Sequence, residues 1–404
     1  MENTSAEELA QELLGHCLAT GDWPAELLHR LISQALSDDP AAAVRALFGT
    51  VVERLGDLFE PRLCDVYARL FSEVCAQAIV GLRADELVAR YRRVRAVRPF
   101  SGADPANVVV LSRVTLGADV AVTSVIIDAL KKRFPAAVIW FAGNQKAWEL
   151  FQADPRLRFR PAPYQRSGSL RDRLDVWPLL RESLAMPDTI VVDPDSRLTQ
   201  LGLLPVCEED RYYFFESRSY GGDSETPLSI LAARWAAEVF GVENAHAFIA
   251  PFASPLQGEI TVSLGVGENP AKRIGGKFET EMLRRLGARQ LPILIDYGFG
   301  GDESSRVETA LRDSGTACQT WRGAYAPFAS AISRSRIYCG YDSSSQHVAA
   351  ACGVPLITIF AGYPSIRMHH RWKPSGNGTI QVIRVSNQSP EVVLQLFQIA
   401  LANL

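Results

Sequence analysis

Tyr341-Asp-Ser-Ser-Ser-Gln-His-Val-Ala-Ala-Ala-Cys-Gly-Val-Pro-Leu-Ile-Thr-Ile-Phe360 reads as the end of one strand, a polar turn, a short helix of small residues and a second buried strand. Asp342 and the serines Ser343, Ser344 and Ser345 suit a helix N-cap. The first N–H groups of such a helix lack intrahelical partners, and the macrodipole favours an anion in front of them. Val348 to Gly353 carries almost no side-chain bulk, so the helix can pack tightly on a sheet. Gly353-Val-Pro355 then ends the helix and opens the Leu-Ile-Thr-Ile-Phe strand. The segment predicts an αβ unit with an anion-binding helix start; a capped connection with no ligand is the other reading of the same residues.

The same alternation extends outward from this segment. Asn107-Val-Val-Val-Leu-Ser112 is a continuous apolar run of the kind buried in a parallel sheet. Further strand patterns fall at 138–142, 189–193, 259–264, 292–296, 336–339 and 356–360, separated by helical patterns that include 125–134 and 146–153. Before residue 100 the texture differs. Apolar residues recur at helical spacing (Leu9, Leu13, Leu14; Leu27, Leu28, Leu31, Ile32), broken at Gly21-Asp-Trp-Pro24, Asp38-Asp-Pro40 and Glu60-Pro61, which predicts about five short helices. The expected organisation is an all-helical region at 1–100 and two doubly wound Rossmann-like α/β domains at 107–250 and 251–404, with a ligand between them at the carboxyl ends of the strands.

Composition narrows the function. At 404 residues and 47% hydrophobic content the chain can bury large cores. A net charge of −3 argues against a nucleic-acid partner held by phosphate neutralisation. Cys17, Cys64, Cys75, Cys207, Cys318, Cys339 and Cys352 are scattered without metal-ligand spacing, the pattern of free thiols in a reducing cytoplasm. The opening Met-Glu-Asn-Thr-Ser-Ala-Glu-Glu lacks the features of a signal peptide, and no apolar run approaches the ~18 residues of a membrane span. A cytoplasmic protein is expected.

Three strand ends carry suggestive chemistry. Ser112-Arg-Val-Thr-Leu-Gly-Ala-Asp119 follows the first buried strand; Gly117 permits a tight turn, and Asp119 either caps a helix or accepts a proton from an alcohol. Ser263-Leu-Gly-Val-Gly-Glu-Asn-Pro-Ala-Lys-Arg273 is a glycine loop in which Gly265, Gly267, Lys272 and Arg273 could bring N–H donors and cations to a diphosphate, or a plain solvated loop. Arg367, His369, His370 and Arg371 form a basic cluster after the Leu356–Phe360 strand, read as an anion contact rather than a zinc site. Asp193-Pro-Asp195-Ser-Arg197 has the look of a metal-binding DxD but ends a strand in the first α/β half. There Asp195, Arg197, Arg113 and Arg218 would contact a bound anion or substrate, or cap the surface. No metal site is expected.

With these pieces in place, the segment from Asn107 onward resembles the heptosyltransferase family of type-B (GT-B) glycosyltransferases. The resemblance rests on Val-Val-Val-Leu-Ser-Arg-Val-Thr-Leu-Gly-Ala-Asp-Val, on Leu-Gly-Val-Gly-Glu-Asn-Pro-Ala-Lys-Arg and on Tyr-Asp-Ser-Ser-Ser-Gln-His-Val-Ala-Ala-Ala-Cys-Gly-Val-Pro, in the family's order and spacing. It implies a metal-independent, inverting transfer of a sugar from a nucleoside diphosphate, ADP-heptose being the family's usual donor, with no cofactor. Asp119 would match the general base and Lys272 the lysine on the donor phosphates. The N–H groups at Ser343 to Ser345 would hold the leaving diphosphate, and His347 would match a structural or donor-side histidine. Two positions depart from the pattern: Ala118 stands between Gly117 and Asp119, and Ser344 replaces a glycine. The implied partners are a nucleotide-sugar donor and a glycan, lipid-linked or protein acceptor, the lipid-linked case bringing peripheral membrane contact. The helical region would orient the acceptor or join copies into a homo-oligomer. Two alternatives stay open: a non-catalytic binding or regulatory protein of the same fold, its helices serving partner contacts, and a sugar-nucleotide epimerase of similar architecture.

Overall fold

The computed structural model describes residues 4–267, 269–298 and 300–404. It opens with helices at Ala6–Thr20 and Ala25–Ala35, a continuous rod made of Ala41–Arg45, Ala46–Val52 and Glu53–Asp57, and helices at Pro61–Ala78 and Ala84–Val94. Local chemistry sets their ends. Ser5 and Glu8 form a reciprocal capping box at the first start, and Gly21 ends that helix at φ 75°. Pro61 occupies the first turn of its helix, where its missing N–H costs nothing. The middle segment of the rod, Ala46–Val52, is wound as a π-helix.

Eleven parallel strands follow in two sheets. The first contains β1 (Asn107–Leu111), β2 (Val138–Gly143), β3 (Leu157–Pro161), β4 (Thr189–Asp193) and β5 (Tyr212–Phe214), in the order β3-β2-β1-β4-β5. The second contains β6 (Ile260–Ser263), β7 (Ile293–Asp296), β8 (Gln319–Trp321), β9 (Ile337–Tyr341), β10 (Leu356–Phe360) and β11 (Ile380–Arg384), in the order β11-β10-β9-β6-β7-β8. Both orders reverse direction beside the first strand of their sheet, between β1 and β4 and between β6 and β9. Helices on either side of such a switch point leave a crevice at the strands' carboxyl ends.

A parallel sheet is stable only with both faces covered. In the first sheet Val108, Val110, Ile190 and Val192 pack with the helices at 124–133 and 228–240. The alternate residues Val109, Leu111 and Val191 face the other way, into one core with Leu13, Leu31, Tyr67, Phe71 and Tyr91 of the N-terminal helices. Polar contacts stitch the same seam. Tyr67 Oη donates to the Gln200 carbonyl at 3.0 Å, and Arg90 donates to the Gly202 carbonyl at 2.8 Å while its guanidinium lies 4.6 Å over the Tyr212 ring. The helical region is thus part of the first domain's core.

Two helices differ from their sequence patterns. The helix expected to open near Val125 begins at Leu116 and runs through Leu116–Ala118, a π turn at Asp119–Thr123 and Ser124–Arg133. A π turn holds one more residue than an α turn, which accommodates the extra Ala118. The pattern at 146–153 is helical only over Gln145–Trp148 before breaking into turns. All seven cysteines are unpaired thiols. Among the described residues no helix is long and apolar enough to cross a membrane.

Deleting residues 1–97 strips one face of the first sheet. The truncated chain should lose its near-ultraviolet circular dichroism and its cooperative thermal transition, whereas a soluble product melting sharply near the full-length temperature would show the helices to be an appendage.

Candidate active site in the interdomain cleft

The carboxyl ends of the two sheets face each other across a cavity of about 490 Å³. On its second-domain side lie Gly265, Gly267 and Lys272 from the loop after β6, and Asp342, Ser343, Ser344 and Ser345 from the turn after β9. The helix Ser344–Ala351 starts here, and Ser343, its N-cap residue, makes no side-chain capping bond. Its first N–H groups therefore stay available to a ligand. Ser344, in the place of a glycine, is helical and strains nothing, since it is absent from the positive-φ positions. Lys272 Nζ donates to Asp342 Oδ2 at 2.6 Å, a largely buried ion pair. Asp342 also accepts from Gln346, whose amide oxygen accepts from Thr358 at 2.8 Å. Gly362 sets the loop's position: with φ 66°, a Cβ there would meet the Ala271 carbonyl carbon at 2.5 Å, so only glycine lets the Lys272 turn come this close.

The sequence reading missed several groups on the same wall. Asp296, at the end of β7, lines the cavity with Glu303, Trp321, Tyr325 and Phe328. Burial pushes the Asp296 carboxyl up to about 6. Tyr325 Oη lies 3.0 Å from Ser345 Oγ. Such residues sit singly at strand ends with no motif around them, and only strand order brings them together.

A second cavity of about 200 Å³ lies between the first domain, the N-terminal helices and Trp372. Val114, Thr115 and Arg166 line both cavities, so the two meet at the turn after β1. Arg113, Asp195 and Arg197 all line the second cavity. Arg113 donates to the Pro194 carbonyl at 2.5 Å and to Ser217 Oγ at 2.9 Å. Asp195 is sealed, at φ 70°, between Ser217 Oγ at 2.7 Å and Arg218 Nε at 3.2 Å. Both terminal guanidinium nitrogens of Arg218 are buried without a partner. The helical region contributes Phe48, Glu53, Gly56, Asp57 and Phe59 to this wall.

Asp119 has a different place from the one the resemblance implied. It is fully buried and lines neither cavity. Its carboxylate accepts from Ser112 Oγ at 2.7 Å, from the Arg113 N–H at 2.7 Å and from Thr123 Oγ1 at 2.8 Å. Burial raises it to about 6, against the pull of these bonds. The physical cause is the extra Ala118, which carries Asp119 about 100° further round the helix and itself lines the second cavity. Asp119 shapes the turn that carries Val114, a β-branched residue held at φ 73°, between the two cavities. Asp193 is likewise sealed by Ser196 N–H, Thr199 and Tyr212, and no group of three or more metal-ligating side chains occurs among the described residues.

Other expected contacts also fall elsewhere. Arg273 pairs with Asp302 at 2.6 Å and stays out of the cleft. Arg367 pairs with Asp223 at 2.6 Å and donates to the Phe59 carbonyl at 3.3 Å, while Arg371 holds the Gly222 and Thr226 carbonyls. His369 is buried against Phe360 and Tyr363, and burial pushes it down to about 4. The basic cluster therefore clamps the domains together, and neither Arg367 nor His369 lines either cavity. His347, also pushed down to about 4 by burial, packs against Trp372. Gly117 meets the other domain: a Cβ there would lie 3.2 Å from Ser344 Cα and 3.3 Å from the His347 ring. Its bareness serves a close domain contact rather than a left-handed turn.

No protein-family model matches the chain, and no curated protein matches it by sequence. Solved structures do match its fold, which is the GT-B architecture. A glycosyl transferase family 9 protein from Veillonella parvula superimposes with a TM-score of 0.55 at 14% identity, over 74% of this chain and 98% of the other. E. coli heptosyltransferase WaaC with ADP gives 0.54 at 14%, over 73% and 99%. E. coli ADP-heptose LPS heptosyltransferase II gives 0.50 at 16%, over 74% and 99%. The uncovered quarter of this chain is about as long as its helical region.

Replacing Asp119 with Asn puts an amide donor where one of the two accepting oxygens stands in a dry site. Denaturant unfolding should show a loss of about 1–3 kcal/mol; unchanged stability would contradict the sealed geometry.

Proposed function

We propose that the protein is a cytoplasmic glycosyltransferase that moves a sugar from a nucleoside-diphosphate donor to an acceptor hydroxyl, with inversion and without a metal. The observation that carries this reading is the facing of two switch points across one cleft. On its donor side a helix start with free N–H groups stands beside Lys272. A diphosphate leaving group gains one negative charge as its bond to the anomeric carbon breaks. Fixed N–H donors and an ammonium stabilise that charge without reorganising. Lys272 and the Ser344 and Ser345 N–H groups take the phosphates. Asp296, ending β7, the next strand after the glycine loop, takes the ribose hydroxyls, the place an acidic residue holds in related nucleotide folds. Trp321, Tyr325 and Phe328 supply apolar surface for the base.

The acceptor enters from the second cavity, whose wall of arginines suits an anionic or polyhydroxylated glycan and whose far side is built by the helices. The donor panel begins with ADP-heptose, since two of the structural neighbours are named with it or its fluoro analogue. The sealed Asp119 favours a second reading, in which the cleft binds a sugar nucleotide without turning it over.

A thermal-shift panel of nucleoside diphosphates and their sugars tests the first reading. One diphosphate at about a hundredfold excess over its dissociation constant should add about 2.7 kcal/mol of stability, and Lys272→Ala should abolish most of the shift. A panel in which nothing stabilises the wild type, or a shift that Lys272→Ala leaves intact, would overturn the assignment. Release of nucleoside diphosphate from a bound sugar nucleotide separates the two readings.

A further inference from the structure

A displacement of this kind needs a base on the acceptor side, and Asp119 is spent on the turn after β1. The second cavity is lined by three other carboxylates: Glu53, Asp57 and Asp195. Glu53 pairs with Arg166 at 3.2 Å, and Asp195 is clamped by Ser217 and Arg218 with its side chain wholly buried. Asp57 differs. It is partly exposed, it lines the cavity, and among the described residues no hydrogen bond or ion pair engages its carboxylate.

Its position is held from three directions. Asp57 ends the rod that follows the π segment Ala46–Val52, and the chain leaves it through Phe59 at φ 53°. Ser365 Oγ donates to the Asp57 carbonyl at 3.5 Å, and Arg367 donates to the Phe59 carbonyl at 3.3 Å. The Phe59 ring meets Trp372 edge-on at 6.5 Å. The N-terminal helices and the second domain thus meet here, on the wall of the cavity that Asp57 shares with Val114 and Thr115.

We propose that Asp57, supplied by the N-terminal helices, is the proton acceptor for the attacking hydroxyl. This rests on the glycosyl-transfer reading above. The acceptor O–H proton passes to the Asp57 carboxylate as the oxygen bonds to the anomeric carbon. The bond from that carbon to the donor phosphate breaks, and its electron pair leaves with the diphosphate onto Lys272 and the helix start. Burial and the nearby Glu53 raise the Asp57 carboxyl to about 6, while Arg197, Lys272 and Arg54 pull it down. A group with that value is ionised near neutral pH yet basic enough to share a proton in the transition state. The inserted Ala118 that withdraws Asp119 and the rod that delivers Asp57 then form one exchange: the base has moved from the helix after β1 to the helical cover.

The test measures nucleoside-diphosphate release from the stabilising sugar nucleotide, with water as acceptor, together with diphosphate affinity by calorimetry. Asp57→Asn in the full chain should keep the affinity within about twofold and lose about 10²–10⁴ in turnover, with Asp57→Glu recovering part of it. Asp57→Asn that binds normally and turns over like the wild type overturns the inference while leaving the transferase reading standing. A wild type that binds no member of the panel, or binds one and never releases diphosphate, overturns both. Melting temperatures of the two variants matching the wild type exclude a folding effect.

Discussion

A parallel sheet has no face it can leave to water, and in the first α/β domain one of its two covers comes from the N-terminal helices. Val109, Leu111 and Val191 share a core with Leu13, Tyr67 and Tyr91, so the helices cannot hinge away without exposing the strands that carry the turn after β1. That obligation has a geometric result. The rod ending at Asp57 is delivered to the wall of the second cavity, where the second domain meets it through Ser365, Arg367 and Trp372. Covering the sheet and walling the second cavity are one structural act.

Burial acts on the cleft's charges in opposite senses. The carboxyls of Asp57, Asp119, Asp193 and Asp296 are each raised to about 6, and the imidazole of His347 is lowered to about 4, because desolvation penalises whichever form carries charge. For the carboxyls the folded state holds its proton more tightly than the unfolded chain. Their linkage therefore costs stability as pH rises from 3.8 to about 6. For His347 the sign reverses, and stability falls as pH drops from 6.5 to about 4. Asp342 pairs with Lys272, which keeps a negative charge and a cation together where a diphosphate would join them.

How much of this was legible in the sequence follows from burial. All seven strands with neighbours on both sides stand out as continuous apolar runs, Val108-Val-Val-Leu111 and Leu356-Ile-Thr-Ile-Phe360 among them. The four unread strands, β3, β5, β8 and β11, are the edges of their sheets. There one side is solvated and runs such as Leu157-Arg-Phe-Arg-Pro161 or Gln319-Thr-Trp321 lose the pattern. The wall that carries Lys272 and Ser343 to Ser345 was readable because its groups lie in two contiguous loops. Asp57 was not, because Glu53-Arg-Leu-Gly-Asp57 looks like any exposed helix end, and only the fold brings it to the cleft. Asp119 misled for a local reason, since a one-residue insertion turns a side chain by about 100° around a helix.

The most direct measurement of the whole account is hydrogen exchange on the full chain with and without the stabilising nucleoside diphosphate. The account predicts slowed exchange at the amides of Ser344 and Ser345 and in the loop at 264–273, with the segment 57–59 protected further only when the sugar is attached. Protection confined to other surfaces, or none at Ser344 and Ser345, would contradict a donor site at this cleft.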